Sequence, residues 1–301
     1  PPGFVPDARL LRRWAERGHD DQGEPFPPSP PSEYCGDVGD SNVKKALRSW
    51  HLKADGPGPR KGDVSLFCCI YTTSGRHHSL VRAQRETWGS ACDGFVVFSN
   101  ETDPSVPSVA LDQSGPEHYN NMWQKLRSIW RYVDMHYIDD FQYFISGGDD
   151  FFLLPQNLRN YIAAHAAGPD RHFYHGRRFQ VPNATLFNSG GAGYVLSRAT
   201  LRLLVKHLDD PPCDPEIHMA DEDVRVAKCL KHTANITAAD TRDSQGRERF
   251  HPFHPALMYT WRYDPNDWFT KFNKPWGVKE GADCCAADSV SFHFVVKPAS
   301  L

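Results

Sequence analysis

No apolar run in this 301-residue chain approaches the ~20 residues that a membrane-spanning helix requires, and no signal-peptide pattern opens it. Positive charge is not in surplus either. The 34 Lys and Arg stand against 37 Asp and Glu, a formal net charge of −3, so the basic footprint of a nucleic-acid or anionic-membrane binder is missing. None of the eight cysteines is spaced as CxxC, which excludes the common structural zinc frameworks; Cys68-Cys69 and Cys284-Cys285 are adjacent pairs, poor geometry for sharing a metal. There is no internal repeat, and no Walker loop or Gly-x-Gly-x-x-Gly string.

What remains is a chain that is 40% hydrophobic, enough for one sizeable core or two modest ones. The even cysteine count and three N-glycosylation sequons, at Asn100, Asn183 and Asn235, favour an oxidising, secretory setting over a reduced cytosolic one. Residues 1–60 are rich in Pro, Gly and charge and read as a stem, with short helices around Ala8–Arg17 and Asn42–Leu52; residues 61–301 read as the folded domain. The start at Pro1-Pro2-Gly3 suggests a soluble portion of a longer protein, membrane-bound only through an anchor outside this sequence.

Within the domain, Val64–Tyr71 and Phe95–Phe98 are apolar enough for strands covered on both faces, and Gly75–Trp88 reads as a loop and helix. Tyr119–Tyr137 carries Met122, Leu126, Ile129, Trp130, Val133 and Tyr137 at helical spacing. Phe141–Ser146 predicts a strand and Gln156–Ala167 another helix. The alternation implies an α/β fold, a mixed central sheet flanked by helices, with ligands at the carboxyl ends of its strands.

Four constellations carry candidate chemistry. Phe141–Ser146 runs into Asp149 and Asp150; adjacent carboxylates repel and are costly to desolvate, which a divalent cation beside a nucleotide diphosphate would relieve, although a solvated turn accommodates them equally. Asn188–Ser197 packs three glycines into four residues ahead of a helix at Arg198–His207, suited to the floor of a substrate site or to a plain tight turn. Ala220-Asp-Glu-Asp-Val224 opens a helix running through Leu230 with more acid than the macrodipole needs, so one carboxylate is available as a general base. Ser289–Val296 alternates as a strand that would put Ser289, Ser291 and His293 on one face; a strand histidine is usually structural, but beside two aspartates it suits Mn²⁺ better than Ca²⁺.

These pieces, in this order, resemble the inverting β1,3-glycosyltransferases of family 31, and within them the core 1 galactosyltransferase branch. The most specific stretches are Asn121–Lys125 with His136-Tyr137, Ser189–Ser197, Glu222-Asp223-Val224, Thr241–Phe250, and Cys284-Cys285 ahead of Val290–His293. The resemblance implies a GT-A-type fold, a UDP-sugar donor, a glycoprotein or glycopeptide acceptor, Mn²⁺ and a Golgi or other lumenal location as a type II membrane protein. It also allows a homodimer, to which Trp261, Tyr263, Trp268 and Phe269 could contribute.

By the same resemblance, Asp223 would be the base with Glu222 beside it. Asp150 and His293, with Asp149, would hold the metal; Thr72, Arg85, Trp88 and Asp149 would touch the donor; and Gly190, Gly191, Trp261 and Tyr263 would face the acceptor. The implied disulfides are Cys69–Cys92, Cys213–Cys229 and Cys284–Cys285, leaving Cys35 and Cys68 to tie stem to domain. One departure is Gly148, where relatives usually carry a further acid; it bears on donor identity, with UDP-galactose expected first and UDP-N-acetylglucosamine behind it. A non-catalytic, chaperone-like paralogue and a sugar-binding lectin are the alternatives.

Overall fold

The structure, a computed structural model, describes residues 63–103, 105–181 and 185–295; the stem, Cys35 and Asn183 lie outside the described residues. Eleven strands occur among them: β1 Leu66–Tyr71, β2 Gly94–Ser99, β3 Ser108–Ala110, β4 Tyr143–Gly148, β5 Phe152–Leu153, β6 Tyr174–Gly176, β7 Arg178–Gln180, β8 Leu186–Asn188, β9 Tyr194–Ser197, β10 Phe250–His251 and β11 Ser291–Phe292. The helices are α1 Arg82–Thr87, α2 Met122–Tyr137, α3 Pro155–His165, α4 Arg198–His207, α5 Glu222–Ala234, α6 Pro255–Thr260 and α7 Trp268–Phe272.

Six strands form the central sheet in the order β3-β2-β1-β4-β9-β6. The first four are parallel, while β9 runs antiparallel to both β4 and β6. A small sheet, β10-β11-β5, and the β7-β8 hairpin stand apart from it. This is the mixed, helix-flanked sheet expected of a GT-A-type fold.

Strand parity divides the core in two. On one face Phe67, Cys69, Val96, Phe98, Phe144 and Leu196 meet Trp123, Leu126, Trp130 and Val133 of α2, Leu201 and Leu204 of α4, and Val226 and Leu230 of α5. On the other, Leu66, Cys68, Ile70, Phe95, Val97, Ile145 and Val195 meet Val81, Trp88, and Leu158 and Ile162 of α3. Successive side chains of a strand point to opposite faces, so these continuous apolar strands are buried on both.

That parity corrects the disulfide expectation. Cys68, not Cys69, bonds Cys92, because both lie in the second cluster while Cys69 points into the first and stays a buried free thiol. Cys68 is therefore unavailable to Cys35. The other two bridges, Cys213–Cys229 and Cys284–Cys285, form as expected. The strand expected over Ser289–Val296 shrinks to β11, because Phe294 takes a left-handed backbone (φ 57°) that ends the alternation.

Candidate functional site

Asp149 and Asp150 sit just past the carboxyl end of β4, between the ends of β1 and the glycine loop before β9. The Gln84 side-chain amide of α1 fixes this turn by donating to the Gly148 and Phe151 carbonyls at 3.0 and 2.7 Å. The two aspartates then diverge. Asp149 accepts from the Thr72 hydroxyl at 2.5 Å and from the Arg76 guanidinium at 2.9 Å. Burial pushes its carboxyl above the usual range, against the pull of Thr72 and Arg76. Asp150 instead faces His293, with Oδ1 3.3 Å from Nε2. Burial also acts to raise Asp150, but the hydrogen bond and charge of His293 outweigh it and hold the carboxyl below its ordinary value.

The Nδ1 of His293 lies 3.3 Å from the Pro252 carbonyl, a hydrogen bond in which the ring N–H donates. With Nδ1 carrying that proton, a neutral ring turns its Nε2 lone pair toward the Asp150 carboxylate, and two acceptors at this separation need a proton or a cation between them. A backbone carbonyl fixing the far nitrogen is the usual support of a metal-binding histidine. Asp150 and His293 thus fit a divalent cation that draws its other ligands from water or a bound phosphate. Asp149 is committed to Thr72 and Arg76, and no group of three His, Cys, Asp or Glu with metal-holding geometry occurs among the described residues.

Glu222 and Asp223 form the first turn of α5. Asp223 Oδ2 accepts the Gly190 N–H at 2.8 Å, and Oδ1 accepts the Val224 N–H at 2.8 Å. Burial, partly offset by those donors, pushes the Asp223 carboxyl up to about 6. Glu222 accepts from the Tyr194 hydroxyl at 3.2 Å, and burial followed by the charge of Asp223 drives it well above its ordinary value.

The glycine loop joins these two halves. A side chain at Gly190 would run into the Glu222 carboxylate, and one at Gly191 would run into the His293 ring. Both glycines are needed for close approach, and between them they set the acidic helix start against the Asp150–His293 pair. The sequence-predicted residues Asp149, Asp150, Glu222, Asp223, Gly190, Gly191, Thr72 and His293 are therefore brought to one end of the sheet.

Others are placed elsewhere. Trp88 is core, edge-on to Phe95 and Phe151, and the Arg85 guanidinium is buried and donates to the Ser105 carbonyl at 2.8 Å. Trp261 packs perpendicular to Phe269 and bonds Asp267 through its ring N–H, and Tyr263 is exposed. Both line a cavity of about 440 Å³ with Lys271, Lys274 and Val278, and none of the acidic-site residues borders it. Asn100 and Asn235 are exposed, as glycan acceptors must be.

Two site residues, Arg76 and Tyr71, escape a reading by motif, and Lys125, the end of the Asn121–Lys125 stretch, joins them. Arg76 pairs with Asp149; Lys125, buried on α2, donates to the Thr72 carbonyl at 2.6 Å and pairs with Glu117; and Tyr71 stands beside Gly148. The signal for Tyr71 and Arg76 is position: Tyr71 ends a central parallel strand and Arg76 follows its carboxyl end, where ligands of such sheets bind.

The chain is similar to known sequences. The chain is 28% identical over 234 residues to glycoprotein-N-acetylgalactosamine 3-beta-galactosyltransferase 1 of Xenopus laevis, covering 77% of this chain and 63% of that protein. It is 24% identical over 199 residues to chondroitin sulfate synthase 3 of Homo sapiens, covering 59% of this chain and 21% of that protein. To the Mus musculus form it is 25% identical over 264 residues, covering 76% and 28%. The chain is similar to these glycosyltransferases. It resembles the core 1 galactosyltransferase branch of family 31, as its motifs do, although it spans less than two thirds of each relative's length. No family model matches it.

Proposed function

We propose that this chain carries the catalytic domain of an inverting, metal-dependent β1,3-glycosyltransferase. It would move galactose from UDP-galactose to the 3-hydroxyl of N-acetylgalactosamine linked to Ser or Thr of a glycoprotein, in the lumen of the Golgi or a neighbouring secretory compartment. The observation that supports this reading is the convergence of Asp150–His293 and Glu222–Asp223 on opposite sides of Gly190-Gly191.

Asp223 is the base. With a carboxyl at about 6 it is ionised at neutral pH and more basic than an ordinary aspartate, which suits it to take the acceptor's hydroxyl proton. As that proton leaves, the oxygen forms a bond to the anomeric carbon, whose bond to the phosphate oxygen breaks in line; the electron pair departs with UDP. The Gly190 N–H aims the base, and burial followed by the charge of Asp223 holds Glu222 beside it well above its ordinary value. A cation held by Asp150 and His293, Mn²⁺ on the mixed carboxylate and imidazole donor set, would supply charge neutralisation for the diphosphate. Arg76, half-exposed at the rim, offers a protein cation to the same phosphates.

For the acceptor, an aromatic surface begins at His293. Phe294 stacks on its ring at 3.9 Å, Phe253 follows, and Phe253 packs against half-exposed Trp268 and buried Phe269. Trp261 continues the run from Phe269 toward the 440 Å³ cavity. Sugar and peptide stack well on such faces.

The test is release of UDP from UDP-galactose, with and without an N-acetylgalactosamine-bearing peptide, in Mn²⁺ and after chelation. Acceptor-stimulated, chelator-sensitive release with transfer of hexose supports the proposal. Donor binding without transfer in any acceptor panel would favour a chaperone-like or lectin role, and transfer from UDP-N-acetylglucosamine alone would replace the donor.

A further inference from the structure

The end of β1 carries a side chain that no motif explains. Tyr71 lies on the face of the sheet occupied by Phe67 and Cys69, toward α2 and α5, and pairs in register with Gly148 of β4. A Cβ placed on Gly148 would lie 3.2 Å from the Tyr71 ring and 2.9 Å from the Asp150 carboxylate. The Asp150 carboxylate and the Tyr71 ring together fill the room that a side chain at 148 would need. Three carboxylates bear on its phenol: Glu222 most strongly, then Asp150 and Asp223, with the Tyr119 phenol contributing less. Asp150 belongs to the phosphate side of the site and Asp223 to the side where the acceptor is deprotonated. The ring stands between Gly148, which adjoins Asp150, and the face that carries α5, whose first turn holds Glu222 and Asp223, where a hexose would bridge diphosphate and acceptor.

Resting on the glycosyltransferase reading above, we propose that Tyr71, admitted by Gly148, is a donor-selecting residue whose hydroxyl hydrogen-bonds the transferred hexose of the nucleotide sugar. Burial first, then the surrounding carboxylates, holds the phenol well above its ordinary value, so it remains a neutral O–H donor throughout the working range. A neutral donor suits a sugar hydroxyl, adds no charge beside the diphosphate, and has nothing to bond on UDP once the hexose has gone. The residues around it are already committed: Thr72 to Asp149, and Tyr194 to Glu222.

Titration calorimetry of UDP and of UDP-galactose in Mn²⁺ separates the two ligands. Tyr71→Phe keeps the ring that packs on Gly148 and removes only the hydroxyl. It should weaken UDP-galactose roughly 3- to 10-fold, the worth of one hydrogen bond, while leaving UDP unchanged. Equal effects on UDP and UDP-galactose, or none on either, in a folded Tyr71→Phe protein overturn the proposal. If the wild-type chain binds neither ligand, the glycosyltransferase reading falls and takes this inference with it. If it binds both and Tyr71→Phe matches it, only this inference fails.

Discussion

At the scale of single residues, the site depends on how closely Asp223 and the glycine loop approach. Burial lifts the Asp223 carboxyl to about 6 while the Gly190 and Val224 N–H groups restrain it. The base is therefore lost as pH falls through that value, and kcat/KM should drop tenfold per unit below about 6, a limb read from a rate profile between pH 5 and 8. Asp223→Asn should lose ~10²–10⁴ in transfer rate yet keep its affinity for UDP by calorimetry; wild-type turnover in that variant would remove Asp223 from the role. Gly190→Ala tests the neighbouring contact. Its methyl group meets the Glu222 carboxylate, so loop or helix start must shift, and a misplacement of this order typically costs about 10²-fold in kcat. Its melting temperature should fall far less than its activity does.

At the scale of elements, the second face of the sheet is tied by a buried ion pair. Asp93, directly after Cys92, accepts from the Arg159 guanidinium of α3 at 2.6 Å and from the Leu66 N–H at 2.8 Å. Arg159 is 2% exposed, so Asp93→Ala leaves a charge buried without its partner. The expected loss is about 3–5 kcal/mol, seen as an earlier urea midpoint with an unchanged m-value. Elements were legible where periodicity was strong: the stripe from Met122 to Tyr137 delivered α2, and Arg198–His207 gave α4, where Ser197 caps the Thr200 N–H. They were less legible where backbone geometry or parity decided. Phe294 cuts the last strand short, and nothing local in Cys68-Cys69 tells which thiol shares a face with Cys92. The acidic motifs could be read from their chemistry, but Arg76 and Tyr71 join the site only because β1 lies beside β4 in the sheet. That pairing joins Tyr71 to Gly148, far apart in the chain, and leaves no local pattern.

At the scale of the whole molecule, buried titratable groups inside and outside the site act on stability with opposite signs, and pH reveals the balance. His175, stacked on Phe173 and bonded to the Tyr161 hydroxyl, has its imidazole pushed down to about 4 by burial and then by His165. Between about 6.5 and that value the unfolded chain takes up the proton first, so this contribution to stability shrinks as the solution is acidified. Asp223 has the opposite sign. Its folded carboxyl, at about 6, lies above the unfolded value of about 3.9, so keeping it charged costs stability above pH 6, a cost relieved as pH falls through this window. Asp223→Asn should therefore be more stable than wild type at pH 7.5, by about 1–3 kcal/mol allowing for partial solvent contact. The amide oxygen can still accept the Gly190 N–H, while the amide NH2 faces the Val224 N–H and holds the gain toward the lower figure. The advantage should vanish near pH 4, where the wild-type carboxyl is neutral and the uptake of protons by histidine acts alike in both proteins. Paired thermal melts at the two pH values decide it. A variant that is dead in transfer yet melts higher only at neutral pH would mark Asp223 as a charge retained for chemistry, whereas equal melting at both values would show that the fold carries no such burden.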